Sequence, residues 1–89
     1  MNSEQDTIIE FPCQFPIKVM GKAEGDFDAM VVEIIRKHVP DLTDFAVKSR
    51  LSREGRYVSV TITIEAQNKK QLDNIYMDLT AHKKILFAL

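Results

Sequence analysis

The stretch RYVSVTITIE, Arg56 to Glu65, decides how the rest of the chain is read. Val58, Val60, Ile62 and Ile64 fall on one side of an extended backbone, and Tyr57, Ser59, Thr61, Thr63 and Glu65 fall on the other. β-Branched residues in strict alternation specify a strand with one apolar and one hydroxyl-rich face. Such a strand suits an antiparallel sheet that is covered on one side only. Working back along the chain, Asp44 to Leu51 alternates Phe45, Val47 and Leu51 with Lys48 and Arg50 and reads as a second strand. The polar link Ser52-Arg53-Glu54-Gly55 is short and contains glycine, so the two strands form a hairpin.

Further upstream, Asp26 to His38 places Phe27, Met30, Val31, Ile34, Ile35 and His38 on one helical stripe. Asp26 and Asp28 at its start, with Arg36 and Lys37 at its end, suit the helix dipole, and Pro40 stops it. A first strand precedes it, from Phe15 to Lys22, with Phe15, Ile17 and Val19 set against Lys18 and Met20. Pro12 and Pro16 are expected to bar regular structure ahead of that strand, and Gly21 and Gly25 bracket the turn that follows it. Downstream, Asn68 is a helix N-cap with Gln71 three positions on, as in a capping box. Leu72, Ile75, Tyr76 and Leu79 then face inward, Met77 faces outward, and Lys83 to Leu89 closes the chain as a last strand. The order β-α-β-β-α-β is that of a split βαβ unit. Right-handed crossovers put the first and third strands side by side, with both helices on one face. The expected fold is therefore α+β: a ferredoxin-like plait with a four-stranded antiparallel sheet.

A chain of 89 residues has room for one such unit, expected over residues 11–89 behind a flexible tail at residues 1–10. Its 12 basic and 13 acidic residues leave a net charge of -1, which gives no global attraction for nucleic acid or an anionic membrane. Cys13 is the single cysteine and can form no internal disulfide, and with only two histidines, both distant, no zinc pattern arises. No metal or cofactor is expected. The tail carries Glu4, Asp6 and Glu10 without the basic start of a secretory leader, and no apolar run approaches a membrane span. A cytoplasmic location is the expectation.

The open sheet face is where this architecture most often binds. RNA-binding plaits place several aromatic side chains there for base stacking. Here Tyr57 is followed by Ser59 and Thr61, with Lys18 and Met20 on the first strand, a poor stacking platform. The densest basic feature is Lys48, Arg50, Arg53 and Arg56, offset only by Glu54. Arginine forks match carboxylates and phosphates, while positive charge on an edge strand also guards it against unwanted pairing. The turn from Met20 to Asp26 lacks a phosphate-loop pattern, and Asp26 and Asp28 would repel an anion there. Cys13 has no evident base in sequence, and His38 and His82 read as packing or capping residues, so no catalytic set is expected. Ile8, Ile9, Phe11 and Phe15 would pack against the domain, over the open face, or dock on another chain.

Several runs together resemble the bacterial YbeD-like family. They are Phe11-Pro12, Phe15 with Lys18-Val19-Met20-Gly21, Gly55-Arg56-Tyr57-Val58-Ser59-Val60-Thr61, and Gln71-Leu72 with Ile75-Tyr76 and Leu79. The resemblance spans nearly all of the chain from Glu10 onward. It implies a small cytoplasmic protein of unassigned activity, with a plait similar to the ACT-type domains that bind amino acids or other small effectors at subunit interfaces. It also implies a weak association with lipoate metabolism. The family supplies no catalytic residue; its recurrent residues fall on Lys18, Gly21, Tyr57, Ser59 and Thr61.

The expectation for function is a non-enzymatic regulatory or adaptor domain that binds another protein. Its candidate binding residues are Lys18, Gly21, Arg50, Arg53, Arg56, Tyr57, Ser59 and Thr61. The alternatives are an ACT-like sensor of an amino acid or small acid, dimeric and using the loop after the first strand, and a weak RNA-binding plait.

Overall fold

A computed structural model describes residues 9–89. The expected tail at 1–10, and the docking expected of Ile8, lie outside the described residues except for Ile9 and Glu10, which are exposed. The elements are β1 (Cys13–Lys22), α1 (Phe27–Arg36), β2 (Val47–Leu51), β3 (Tyr57–Ala66), α2 (Lys69–Thr80) and β4 (Ile85–Ala88). All pairings are antiparallel, and the sheet runs in the order β2-β3-β1-β4. This is the ferredoxin-like plait read from the element order.

The alternation of β3 organises the core. Val58, Val60, Ile62, Ile64 and Ala66 are buried against the helices, joined by Ile17 and Val19 from β1. Phe27, Val31, Ile34 and Ile35 of α1 and Leu72, Ile75 and Leu79 of α2 close over them. The helices pack on β1, β3 and β4, whereas β2 is held essentially by β3. No helix among the described residues is long and apolar enough to cross a membrane.

Four boundaries differ from the expectation, each for a local reason. β1 begins at Cys13 and runs through Pro16, which lies opposite Thr63. Lys18 exchanges backbone hydrogen bonds with Leu89, at 3.0 and 2.7 Å, so even positions of this stretch of β1 direct their peptide groups toward β4. β4 does not extend as far as Pro16, and its missing N–H therefore leaves no gap in the ladder. α1 ends at Arg36 because Lys37 and His38 close a tighter turn, their N–H groups donating to the carbonyls of Ile34 and Ile35. Asp44 to Ala46 forms a short 3-10 turn instead of the start of β2, which leaves Phe45 96% exposed. Leu51 is 60% exposed at the far end of the same strand, beyond the cover of the helices. The last strand is shorter than expected, Ile85–Ala88, because Lys83 and Lys84 belong to the turn after α2.

The α2 N-cap forms as read, with Gln71 reaching one residue further back than a capping box does, whereas Asp26 makes no side-chain cap at α1. Asn68 Oδ1 accepts from the Gln71 N–H at 2.8 Å, and Gln71 Oε1 accepts from the Gln67 N–H at 2.7 Å. Gln71 Nε2 donates to the His38 carbonyl at 3.2 Å, and the His38 ring bonds Asp78 at 2.6 Å, so α2 is clasped to the end of α1.

Candidate functional site

The strand registers assign the side chains of the uncovered sheet face. One row runs Arg50, Ser59, Met20, Phe87, and the next runs Lys48, Thr61, Lys18. Leu89 extends the second row through its backbone pairing with Lys18. Lys22 and Tyr57 form a further pair toward the hairpin, and Gln14 and Glu65 lie at the opposite end. Lys18, Arg50, Tyr57 and Ser59 line one shallow hollow of about 220 Å³, with Met20, Leu51 and Ser52 beside them. Five of the eight candidate residues read from sequence, Lys18, Arg50, Tyr57, Ser59 and Thr61, therefore share this face.

Apart from Glu65 at its far end, the charge on this face is positive. None of the ion pairs between described residues involves Lys18, Lys48 or Arg50. Apolar Met20, Phe87 and Leu89 adjoin the cations, and Phe87 and Leu89 are 43% and 67% exposed. A surface of this kind can hold carboxylates through charge-assisted hydrogen bonds while burying apolar neighbours. The sequence reading missed Phe87 and Leu89, because their face depends on the register of a four-residue strand that shifts between Met20 and Gly21.

The other three candidates lie elsewhere. Gly21 is buried on the helix side of the sheet. A Cβ placed there would overlap the Phe27 ring and come 2.7 Å from the Lys84 carbonyl oxygen. The missing side chain lets the Phe27 ring and the Lys84 carbonyl pack close against β1. Arg53 and Arg56 flank the hairpin tip, which Gly55 turns with a φ of 75°. Arg56 Nε is 3.7 Å from Glu54, a solvent-exposed pair worth little.

The remaining sequence candidates have structural partners. Cys13 is half-buried against the core. His82 Nδ1 accepts from the Lys84 N–H at 3.2 Å, and His38 clasps Asp78. No cluster of His, Cys, Asp or Glu suited to a metal occurs among the described residues. The loop after β1 borders a hollow that includes Glu24 and Asp28, a setting that disfavours an anion. A larger groove of about 750 Å³ runs along α1 past Asp26, Asp28, Glu33 and Asp44. Of its two cations, Arg36 donates to the Leu42 carbonyl at 3.1 Å and lies 3.8 Å from Asp44, and Lys37 stands beside three further carboxylates, so the groove is net acidic.

Comparisons with known proteins agree with this architecture. The family described as "Protein of unknown function (DUF493)" matches residues 6–89. A UPF0250 protein of Chromobacterium violaceum is 40% identical over 89 residues, covering 100% of both chains. A UPF0250 protein of Neisseria gonorrhoeae is 41% identical over 83 residues, 93% of this chain and 91% of the relative. One of Nitrosomonas europaea is 40% identical over 85 residues, 96% and 98% of the two chains. Among solved structures, the solution structure of protein HP0495 from H. pylori superposes with a TM-score of 0.72 over 100% of this chain and 94% of that one. At 16% identity, that likeness concerns the fold alone.

Proposed function

The chain belongs to the DUF493 family, and from that premise we propose that it is a non-enzymatic regulatory or adaptor domain whose open sheet face binds another protein. One observation carries this reading: Lys18, Lys48 and Arg50 lie together beside Met20, Phe87 and Leu89, with no ion-pair partner among the described residues. Cations without carboxylate partners on an apolar-edged surface favour an acidic protein partner, for which they supply both encounter rate and register. The basic hairpin tip at Arg53 and Arg56 extends the same sign of charge.

Affinity capture from source-cell extract tests the reading, with the bound protein identified by mass spectrometry. Wild type should retain a specific acidic partner, Lys18→Glu/Arg50→Glu should lose it, and Arg53→Glu/Arg56→Glu should weaken it. Failure of wild type to retain anything that the sheet-face variant loses would overturn the proposal.

A second reading is an ACT-like sensor of a small carboxylic acid. The hollow lined by Lys18, Arg50, Tyr57 and Ser59 favours it, because these groups can hold a carboxylate and its hydroxyl neighbours. A thermal-shift panel of amino acids and lipoate-type acids separates the two. A ligand at about 100 times its dissociation constant stabilises a domain by about 2.7 kcal/mol, a shift of several degrees at this size. No shift across the panel would leave the protein-binding reading alone.

A further inference from the structure

We propose that the outer edge of β2 receives an extended segment of a partner protein as an added strand of the sheet. The segment carries acidic side chains at alternate positions with apolar ones between them. The inference rests on the protein-binding reading and specifies where and what the domain binds.

The backbone of β2 is prepared for such a strand. It pairs with β3 over all five residues, Val47 to Leu51, with no shift of register. At the hairpin, the Ser52 N–H donates to the Tyr57 carbonyl at 2.8 Å. Antiparallel alternation then points the peptide groups of Arg50 and Lys48 toward β3 and those of Leu51, Ser49 and Val47 outward. The groups of Ser49 and Leu51 have no backbone partner among the described residues, whereas the Val47 N–H already donates to the Asp44 carbonyl and closes the 3-10 turn. Neither helix packs substantially on β2, so both sides of the edge are accessible.

The side chains specify the chemistry of the occupant. Lys48 and Arg50 stand on the open face, two positions apart, and neither has an ion-pair partner among the described residues. An antiparallel strand hydrogen-bonded to Ser49 would place its residues opposite Lys48 and Arg50 at the non-hydrogen-bonded positions, where cross-strand side chains come closest. Acidic residues there would be paired, and like-charged residues would be repelled. A second copy offering the same edge would set Lys48 and Arg50 against themselves, so the edge selects against self-pairing. Between the acids, the residue opposite Ser49 would lie diagonally between Val47 and Leu51, and Leu51 is 60% exposed. Phe45, 96% exposed just before the strand, adds a further apolar contact on that approach. Main-chain pairing thus supplies adhesion, and the alternating side chains supply choice.

The test uses the full chain, isotopically labelled, and an end-blocked synthetic peptide in which Glu alternates with Val. The peptide should bind more weakly as salt rises, and the amides of Ser49 and Leu51 should become slow to exchange. Lys48→Glu/Arg50→Glu should weaken binding at least about ten-fold, and a peptide alternating Lys with Val should not bind. Ser49→Pro removes only an outward N–H and is compatible with an edge strand, yet it should block capture. Should that variant fail to fold, a Glu–Val peptide N-methylated at each Val serves instead, because it keeps the charges and loses the ladder donors. Equal binding by the N-methylated peptide, or no added protection at Ser49, would overturn the edge-strand inference. If the peptide instead perturbs Lys18 and Thr61 and ignores Ser49→Pro, the edge inference falls while the protein-binding reading survives. If the peptide does not bind and Lys18→Glu/Arg50→Glu releases no captured protein, both fall.

Discussion

The two edges of the sheet are built on opposite plans. β2 is regular, carries Lys48 and Arg50, and is held by β3 without substantial helix cover. β4 is four residues long, has no charged residue, shifts register against β1, and lies over α2 with Ile85 buried. Charge guards one edge; brevity and irregularity guard the other. The difference teaches that β2 keeps a usable ladder and controls who may join it, whereas β4 uses its ladder poorly and is fixed by packing.

If β4 is fixed by packing, its attachment should be the more fragile. Gly21 sits where the β1–β4 register shifts, against the Phe27 ring and the Lys84 carbonyl. Gly21→Ala forces a methyl into space that a backbone carbonyl and a packed ring already occupy, with an expected loss of about 2–3 kcal/mol. Urea denaturation measures it. Ser49→Pro, a backbone change on the opposite edge, should cost far less, and equal losses would break the contrast.

How much of this was legible in the residues follows the same division. β3 could be read almost to its ends, because a strand covered on one face must alternate, and its partners followed from topology. Gly21 was picked out by its resemblance to a family residue, but one sequence could not show which side of the sheet it faced; the Phe27 ring settles that. Phe45 kept the parity of an inward residue and still points to solvent, because a 3-10 turn rotates the chain just before β2. Tertiary context decided both. The site itself was half legible: residues on β1, β2 and β3 could be grouped by alternation, while Phe87 and Leu89 depend on a register that only the folded pairing reveals.

A weaker blow to the packed edge comes from behind. α2 backs β4, and its first turn is capped by Asn68, whose Oδ1 accepts from Gln71 N–H at 2.8 Å. Asn68→Ala should cost about 1 kcal/mol. Hydrogen exchange should then rise in α2 and β4 and stay unchanged in β2. Uniform loosening of the whole sheet would show that α2 is not specific to the β4 side.

Alkaline pH presses on the same helix. Burial raises the pKa of the half-buried Tyr76 phenol above its ordinary value of 10.0. The folded state therefore favours the neutral phenol more than the unfolded chain does. Its contribution to stability is complete below about pH 10 and is lost as pH rises through the folded value. Denaturation midpoints should decline on the alkaline side, and Tyr76→Phe should reduce that decline. An identical alkaline slope in the variant would remove Tyr76 as its source.

The smallest effect on stability should belong to Leu86→Lys, and it is the most direct probe of how β4 is guarded. Leu86 is 52% exposed, so a lysine there forfeits little burial and should change stability by no more than about 0.5 kcal/mol. Its effect should appear in association instead. Leu86, Phe87 and Leu89 together expose an uncharged apolar edge, and brevity is an imperfect guard against a second copy at high concentration. Sedimentation equilibrium should detect weak, concentration-dependent self-association of the wild type that Leu86→Lys suppresses and Lys48→Glu/Arg50→Glu does not. The reverse ranking would place self-association on β2. The charges there would then have failed to exclude a like edge, and could not be what selects an acidic strand.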